Sequence, residues 1–477
     1  MKVLLAVAVS CVVLLAGVGI VSAQTWTPLT NQPKISASNP LLLADGRVLV
    51  LDSGGQDWWA LTPDINGGYL NGTWSELASL PSGYAPTYFA SAVLPDTRVF
   101  VLGGEYNFGN GVWTTLGAIY TPKTNKWKKL TAPSGWGSVG DAQSVILADG
   151  TLMVANCCTT QEALLDAKTL TWTATGTGKA DINDEEGWTL LPSGEVLTVD
   201  ANADNTNSEI YNPATGSWSS AGSTIVQLED PGSHELGPAV LRPDGTVIAT
   251  GATGHNAVYN STTATWATAP DFPKVKGQQL DIADGPAALL PSGNVLVMTS
   301  PGVYNLGSYF FEWNGSTFTA VPGVPNAPND SSFYGNMLVL PTGEILFTDF
   351  SSDVELYSST GSPEPSWAPA ITKVAKTLTH GKASTVKGTQ LNGLSQGAAY
   401  GDDVQAATNY PLVRITNNAT GHVFFCLTEK PSSMGVATGS LIVTAHFTVP
   451  ATIELGASEL VVVTNGIPST PESVTID

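Results

Sequence analysis

Leu41-Leu42-Leu43-Ala44-Asp45-Gly46-Arg47-Val48-Leu49-Val50 sets two apolar runs on either side of a polar-Gly turn, which reads as a tight hairpin. The pattern returns as Ala92-Val93-Leu94-Pro95-Asp96-Thr97-Arg98-Val99-Phe100-Val101 and as Val145-Ile146-Leu147-Ala148-Asp149-Gly150-Thr151-Leu152-Met153-Val154. Its turn recurs four more times, at Pro192-Ser193-Gly194, Pro243-Asp244-Gly245, Pro291-Ser292-Gly293 and Pro341-Thr342-Gly343. Measured at the Gly position, with Thr97 standing there in the second copy, the steps are 51, 53, 44, 51, 48 and 50 residues. So regular a period marks a repeat architecture, in which each unit must cover its apolar faces with its neighbours.

Outward from each hairpin, a third strand ends in an aromatic and a turn, as in Ala118-Ile119-Tyr120-Thr121-Pro122 and Glu209-Ile210-Tyr211-Asn212-Pro213. A short fourth strand then carries Trp74, Trp127, Trp172, Trp218 or Trp266, with Phe318 in the slot of the sixth unit. Four strands per unit and one large ring at a fixed place predict a seven-bladed β-propeller, with the rings packed between blades rather than offered to a sugar. The seventh unit lacks a clear fourth strand. Thr25-Trp26-Thr27-Pro28-Leu29 is predicted to fill it and remove the open sheet edge, with Trp367 as its rival for the slot.

Beyond about residue 370 there is no Trp, and shorter alternating runs such as Val413-Arg414-Ile415 and Leu460-Val461-Val462-Val463 predict an immunoglobulin-like β-sandwich over 370–477. At the other end Lys2, an apolar run and Val21-Ser22-Ala23 read as a signal peptide over 1–23, a retained anchor being the alternative. The propeller is then 24–369. The expected location is extracellular or periplasmic, and no later segment is apolar enough to span a membrane.

The formal charge is −21. A field of that sign repels nucleic acid and anionic lipid and favours cations or neutral ligands. Only Cys157, Cys158 and Cys426 follow the leader. The adjacent pair is a disulfide candidate that reads equally as a vicinal ring, a buried reduced pair or half of a bridge to Cys426.

The repeats over 36–360 resemble kelch motifs, the double Gly surviving at Gly54-Gly55 and Gly103-Gly104. With the C-terminal sandwich, the chain resembles the galactose oxidase and glyoxal oxidase superfamily. Tyr400-Gly401-Asp402-Asp403, Asn409-Tyr410-Pro411-Leu412-Val413-Arg414 and Val463-Thr464-Asn465-Gly466-Ile467 resemble kelch proteins whose last domain is of the IPT/TIG or early-set type. The resemblance implies an all-β fold: a seven-bladed kelch-type propeller followed by the sandwich.

For the oxidases of that superfamily the resemblance also implies copper on two Tyr and two His, with one Tyr cross-linked to Cys. Here Tyr88-Phe89-Ala90, Asp141-Ala142-Gln143 and Phe333-Tyr334-Gly335 stand in three of those places, and only His422 lies near the expected place of a ligand from the sandwich. Copper-radical oxidation is therefore not expected.

Acidic residues gather just before the innermost strands, where loops converge on a propeller axis: Asp141, Asp181, Asp184, Glu185, Glu186, Glu235, Asp281, Asp284 and Asp330. His234 stands beside Glu235, as a ligand or base if it is not structural. Clustered oxygen donors suit Ca2+ or another divalent cation, or sugar hydroxyls. The same residues also read as a solvated acidic rim, or as an acid and base pair for glycoside cleavage. The leading expectation is a binding module for carbohydrate or an extracellular protein. The alternative is an enzyme of galactose oxidase-like fold working through an acidic, metal-bound channel.

Overall fold

The computed structural model describes residues 24–202, 206–403 and 406–477. The expected leader, 1–23, lies outside the described residues. Those residues form strands joined by turns and four short 3-10 segments, with no α-helix among them, and none of their helices is long and apolar enough to cross a membrane.

Seven antiparallel sheets of four or five strands follow one another along the chain. Their innermost strands are Ala37–Leu42, Ala90–Val93, Ser144–Ile146, Thr189–Leu190, Leu236–Leu241, Ala287–Leu289 and Asn336–Val339. Nearly all of these residues are buried, because both faces of each sheet are covered by neighbouring sheets. Outer strands such as Thr73–Glu76 and Lys126–Thr131 are largely exposed.

Innermost strands pack first on second, second on third, fourth on fifth, and so on to seventh on first. The third and fourth sheets share a core in which Met153 and Ala155 meet Leu190 and Val196. The arrangement is a closed, propeller-like ring. Thr25–Pro28 completes the last sheet, pairing antiparallel with Glu355–Ser358, while Trp367 lies in a 3-10 turn against Gly293.

At six of the hairpin turns Gly has φ between +82° and +88°, and Thr97 at the seventh has φ +76°. These tips face the C-terminal sandwich. Backbone amides of Thr428, Lys430 and Met434 donate to the carbonyls of Ala44, Pro95 and Ala148 in the first three tips. A Cβ on Gly46 would lie 2.5 Å from the Phe425 ring. The sandwich consists of two sheets, one containing Ala383–Thr389 and Ile442–Thr448, the other Leu412–Asn417 and Gly456–Thr464. Val386, Val443, Ile415 and Val462 form its core.

From this sandwich the segment after Leu391 returns into the ring. Ala398–Ala399 adds a fifth strand to the sixth sheet, in register with Ala288 and Ala287. Gln396 accepts a hydrogen bond from the Leu190 amide and Tyr410 donates to the Leu42 carbonyl, so the segment touches innermost strands on several sides of the channel.

Candidate cation-binding site at the propeller axis

On the side of the ring away from the sandwich, the loops enclose a cavity of about 470 Å³. Asp141, Glu185, Glu235 and Asp284 reach it from the approaches to the third, fourth, fifth and sixth sheets. Each precedes or opens an innermost strand, so the repeat itself delivers one carboxylate per sheet to the axis. Glu105 and Tyr304 arrive from connections between second and third strands, and Tyr88, Tyr106, Ser233 and Phe333 complete the wall.

The channel segment adds Asp402 and Asp403. Tyr400 anchors it, donating from its hydroxyl to the Phe333 carbonyl at 2.7 Å and stacking on Tyr88 at 6.2 Å. Gly187 and Gly401 permit the close approach. A Cβ on Gly187 would sit 2.1 Å from the Gly401 carbonyl oxygen, and one on Gly401 would sit 2.3 Å from Asp284 Oδ1.

Two groups of carboxylates result. Ligand oxygens of Asp141, Glu185 and Asp402 lie within 4.8 Å of one another, and so do those of Glu185, Glu235 and Asp284. Tyr304 donates to Glu235 Oε1. Asp141 Oδ1, Glu185 Oε2, Glu235 Oε2 and Asp284 Oδ1 receive no hydrogen bond from the chain. No Lys, Arg or His is among the described residues that line the cavity.

Burial, followed by mutual repulsion, raises the pKa of each acid. For Asp141 the chief neighbours are Asp402 and Asp403, for Glu185 they are Asp402 and Glu235, and for Asp284 they are Glu235 and Asp402. Glu235 is raised chiefly by burial, and Asp402 is pushed up to about 7 by burial and Glu235. Tyr88, Glu185, Asp284 and Tyr304 all have φ between +50° and +59°, a conformation that non-glycine residues adopt at a cost and that gathers at functional sites.

The remaining acids singled out in the sequence go elsewhere. Glu186, next to Glu185, turns inward and accepts from Lys179 Nζ at 3.0 Å, within a buried network that includes Glu209. Asp184 Oδ1 lies 3.3 Å from Cys157 Sγ and 3.2 Å from Cys158 Sγ. The Sγ atoms of those two cysteines lie 2.6 Å apart, and Cys426 is buried in the sandwich core, in a different apolar cluster from Cys157. Asp281 faces Asp230, and Asp330 accepts from Asn326 and faces Asp349, so neither lines the cavity. His234 lies beside the wall, with Nδ1 3.2 Å from the Ala201 carbonyl, and does not line it.

His422 corrects the expectation most sharply. It pairs with Glu454 at 2.7 Å on the half-exposed side of the sandwich, because Val423 is tied to Ile65 on the tip side of the first sheet. The sandwich instead reaches the axis through Tyr400 to Asp403. Tyr88, Asp141 and Phe333, which stand where the resemblance places oxidase residues, do line the cavity. Glu105, Tyr304, Asp402 and Asp403 were missed. The Gly401-Asp402-Asp403 motif was the available signal, since a Gly beside two acids marks close approach as well as charge.

No protein-family model matches the chain, and no curated protein matches it. Among solved structures it is similar to a fungal alcohol oxidase of the AA5 family in complex with copper, at 14% identity and a TM-score of 0.52, covering 95% of this chain and 99% of that one. It is also similar to the extracellular domain of a hybrid two-component system from B. thetaiotaomicron, at 11% identity and a TM-score of 0.49, covering 95% of this chain and 59% of that one. At such identities the likeness speaks for fold alone: the chain has a β-rich, galactose oxidase-like fold.

Proposed function

We propose that the chain is an exported binding module whose axial mouth holds a hard divalent cation, Ca2+ or Mg2+, and through it a hydroxyl-rich ligand, a carbohydrate. In this reading residues 1–23 are the export signal, 24–369 a seven-bladed kelch-type propeller and 370–477 an immunoglobulin-like domain of the early-set or IPT/TIG type. The observation that carries it is the convergence of Asp141, Glu185, Glu235, Asp284 and Asp402 from four sheets and the channel segment, with no cationic side chain lining the cavity to balance them.

Oxygen-only donors suit hard cations. Copper, the metal of the similar oxidase, favours imidazole and sulfur or phenolate donors. Carboxylates dominate this mouth and no His lines it among the described residues, so the donor set does not fit copper. The cavity volume falls in the range of small-molecule sites, which run to roughly 300–1,000 Å³. Tyr88, Tyr106 and Tyr304 line the cavity and supply aromatic surface for a sugar.

The test is calcium titration of chelator-treated protein by calorimetry, followed by a glycan array with and without calcium. Calcium uptake and calcium-dependent glycan binding, both lost in Asp284→Asn, are the expected results. Absence of calcium uptake at neutral pH overturns the cation reading, and glycan binding unaffected by chelation overturns the bridging role.

A further inference from the structure

We infer that the axial site holds two divalent cations rather than one, with Glu185 bridging them; this rests on the cation reading above. Each three-carboxylate group spans no more than 4.8 Å between ligand oxygens. A calcium ion bound at about 2.3–2.6 Å places opposite ligands about 5 Å apart, so each group fits within one coordination sphere. Glu185 belongs to both groups, and a carboxylate has one oxygen to give to each ion.

Both spheres include a buried side chain with an oxygen that meets no donor. Asp141, of the first, is 8% exposed and its Oδ1 meets no donor. Glu235, of the second, is 5% exposed, its Oε1 held by Tyr304 and its Oε2 meeting no donor. Charge points the same way. Five ionised carboxylates around one divalent ion leave three negative charges, to which the nearby Glu105 and Asp403 add, and a second ion offsets two of them.

The two spheres also differ in origin. The first draws Asp402 from the segment sent up by the sandwich, while the second is built wholly from the fourth, fifth and sixth sheets. The first ion is thus a tie between the sandwich and the ring, and the second is the ion of the ring alone.

Equilibrium dialysis of the full chain against calcium, after chelation, measures the stoichiometry. Two ions per chain are expected, falling to one in Asp141→Asn and to one in Glu235→Gln, and in Glu185→Gln both bind more weakly by about tenfold or more. Far- and near-UV circular dichroism of each variant reports its folding, and the wild-type stoichiometry decides the matter even where a variant misfolds. A single ion in the wild type overturns the second site while leaving the cation reading intact. No ion at all overturns both. Two ions with one of them untouched in Glu185→Gln overturns the bridge.

Discussion

Glu185 and Glu186 are neighbours in sequence with opposite roles. The left-handed backbone at Glu185, φ +59°, turns its carboxylate to the mouth and sends the next side chain into the interior. There Lys179, fully buried, holds Glu186 at 3.0 Å and Glu209 at 2.5 Å. Removing one partner of a buried ion pair strands the others. Lys179→Met is therefore expected to cost about 3–5 kcal/mol in chemical denaturation, with calcium stoichiometry unchanged. Thr97 shows the same backbone logic at a turn. Its six counterparts are Gly, and a β-branched residue at φ +76° carries a penalty of about 1–2 kcal/mol. Part of that is offset by the greater unfolded-state entropy of Gly. Thr97→Gly should raise stability by about 1 kcal/mol, and an unchanged or lower denaturation midpoint contradicts the strain.

At the scale of elements, the fourth-strand tryptophans join each sheet to the one before it. The indole N–H of Trp74 donates to the Asn31 carbonyl, Trp127 to Ala78, Trp172 to Thr131, Trp218 to Glu162 and Trp266 to Ser208, all at 2.8–2.9 Å. Trp26, on the closing N-terminal strand, donates to Pro322 at 2.7 Å and packs on Phe310, Phe347 and Tyr357. Phe318 has no N–H and packs instead on Phe272 and Trp313. The slot was legible in the sequence because it recurs at a fixed place. Its hydrogen-bond partner was not, since that lies in the preceding unit and ranges from a backbone carbonyl to a carboxylate. Trp26→Ala removes a large ring at the seam where the chain ends of the ring meet. It should lower stability by about 3 kcal/mol, and deletion of 24–30, which also uncovers the edge of Glu355–Ser358, should lower the melting temperature further.

Across the whole molecule, buried carboxyls outnumber the cations that could balance them. Asp402 and Asp281 are pushed up to about 7, Asp330 to about 8 and Glu355 to about 9, in each case chiefly by burial. Folded-state values above the ordinary carboxylate range mean that the folded chain binds more protons than the unfolded chain from about pH 4 to pH 9. The stability they contribute is complete below pH 4 and is lost as pH rises through 7 to 9. Melting of the chelated protein should accordingly fall from pH 5 to pH 8. Of these groups Asp402 is at the axis, where calcium competes with its proton, so calcium stabilisation should grow over the same interval. At a hundredfold excess over Kd it reaches about 2.7 kcal/mol per site at pH 8. A calcium effect larger at pH 5 than at pH 8 runs against an axial carboxylate site.

Local pattern alone determined the repeat, its hairpins, the seven turns and the strand that closes the ring, because each depends on residues close in sequence or on a period of about 50. It also placed Asp141, Glu185, Glu235 and Asp284 at the axis, since a repeat brings equivalent positions to the same end of every sheet. The tertiary structure alone decided which of two adjacent acids faces the mouth, a matter of one backbone angle. It alone decided that the sandwich contributes Asp402 rather than His422, a matter of how a segment more than 100 residues beyond the strand Ala287–Leu289 threads the channel. Short-range chemistry repeats along a chain and can be read there, whereas contacts between distant segments exist only once the ring has closed around them.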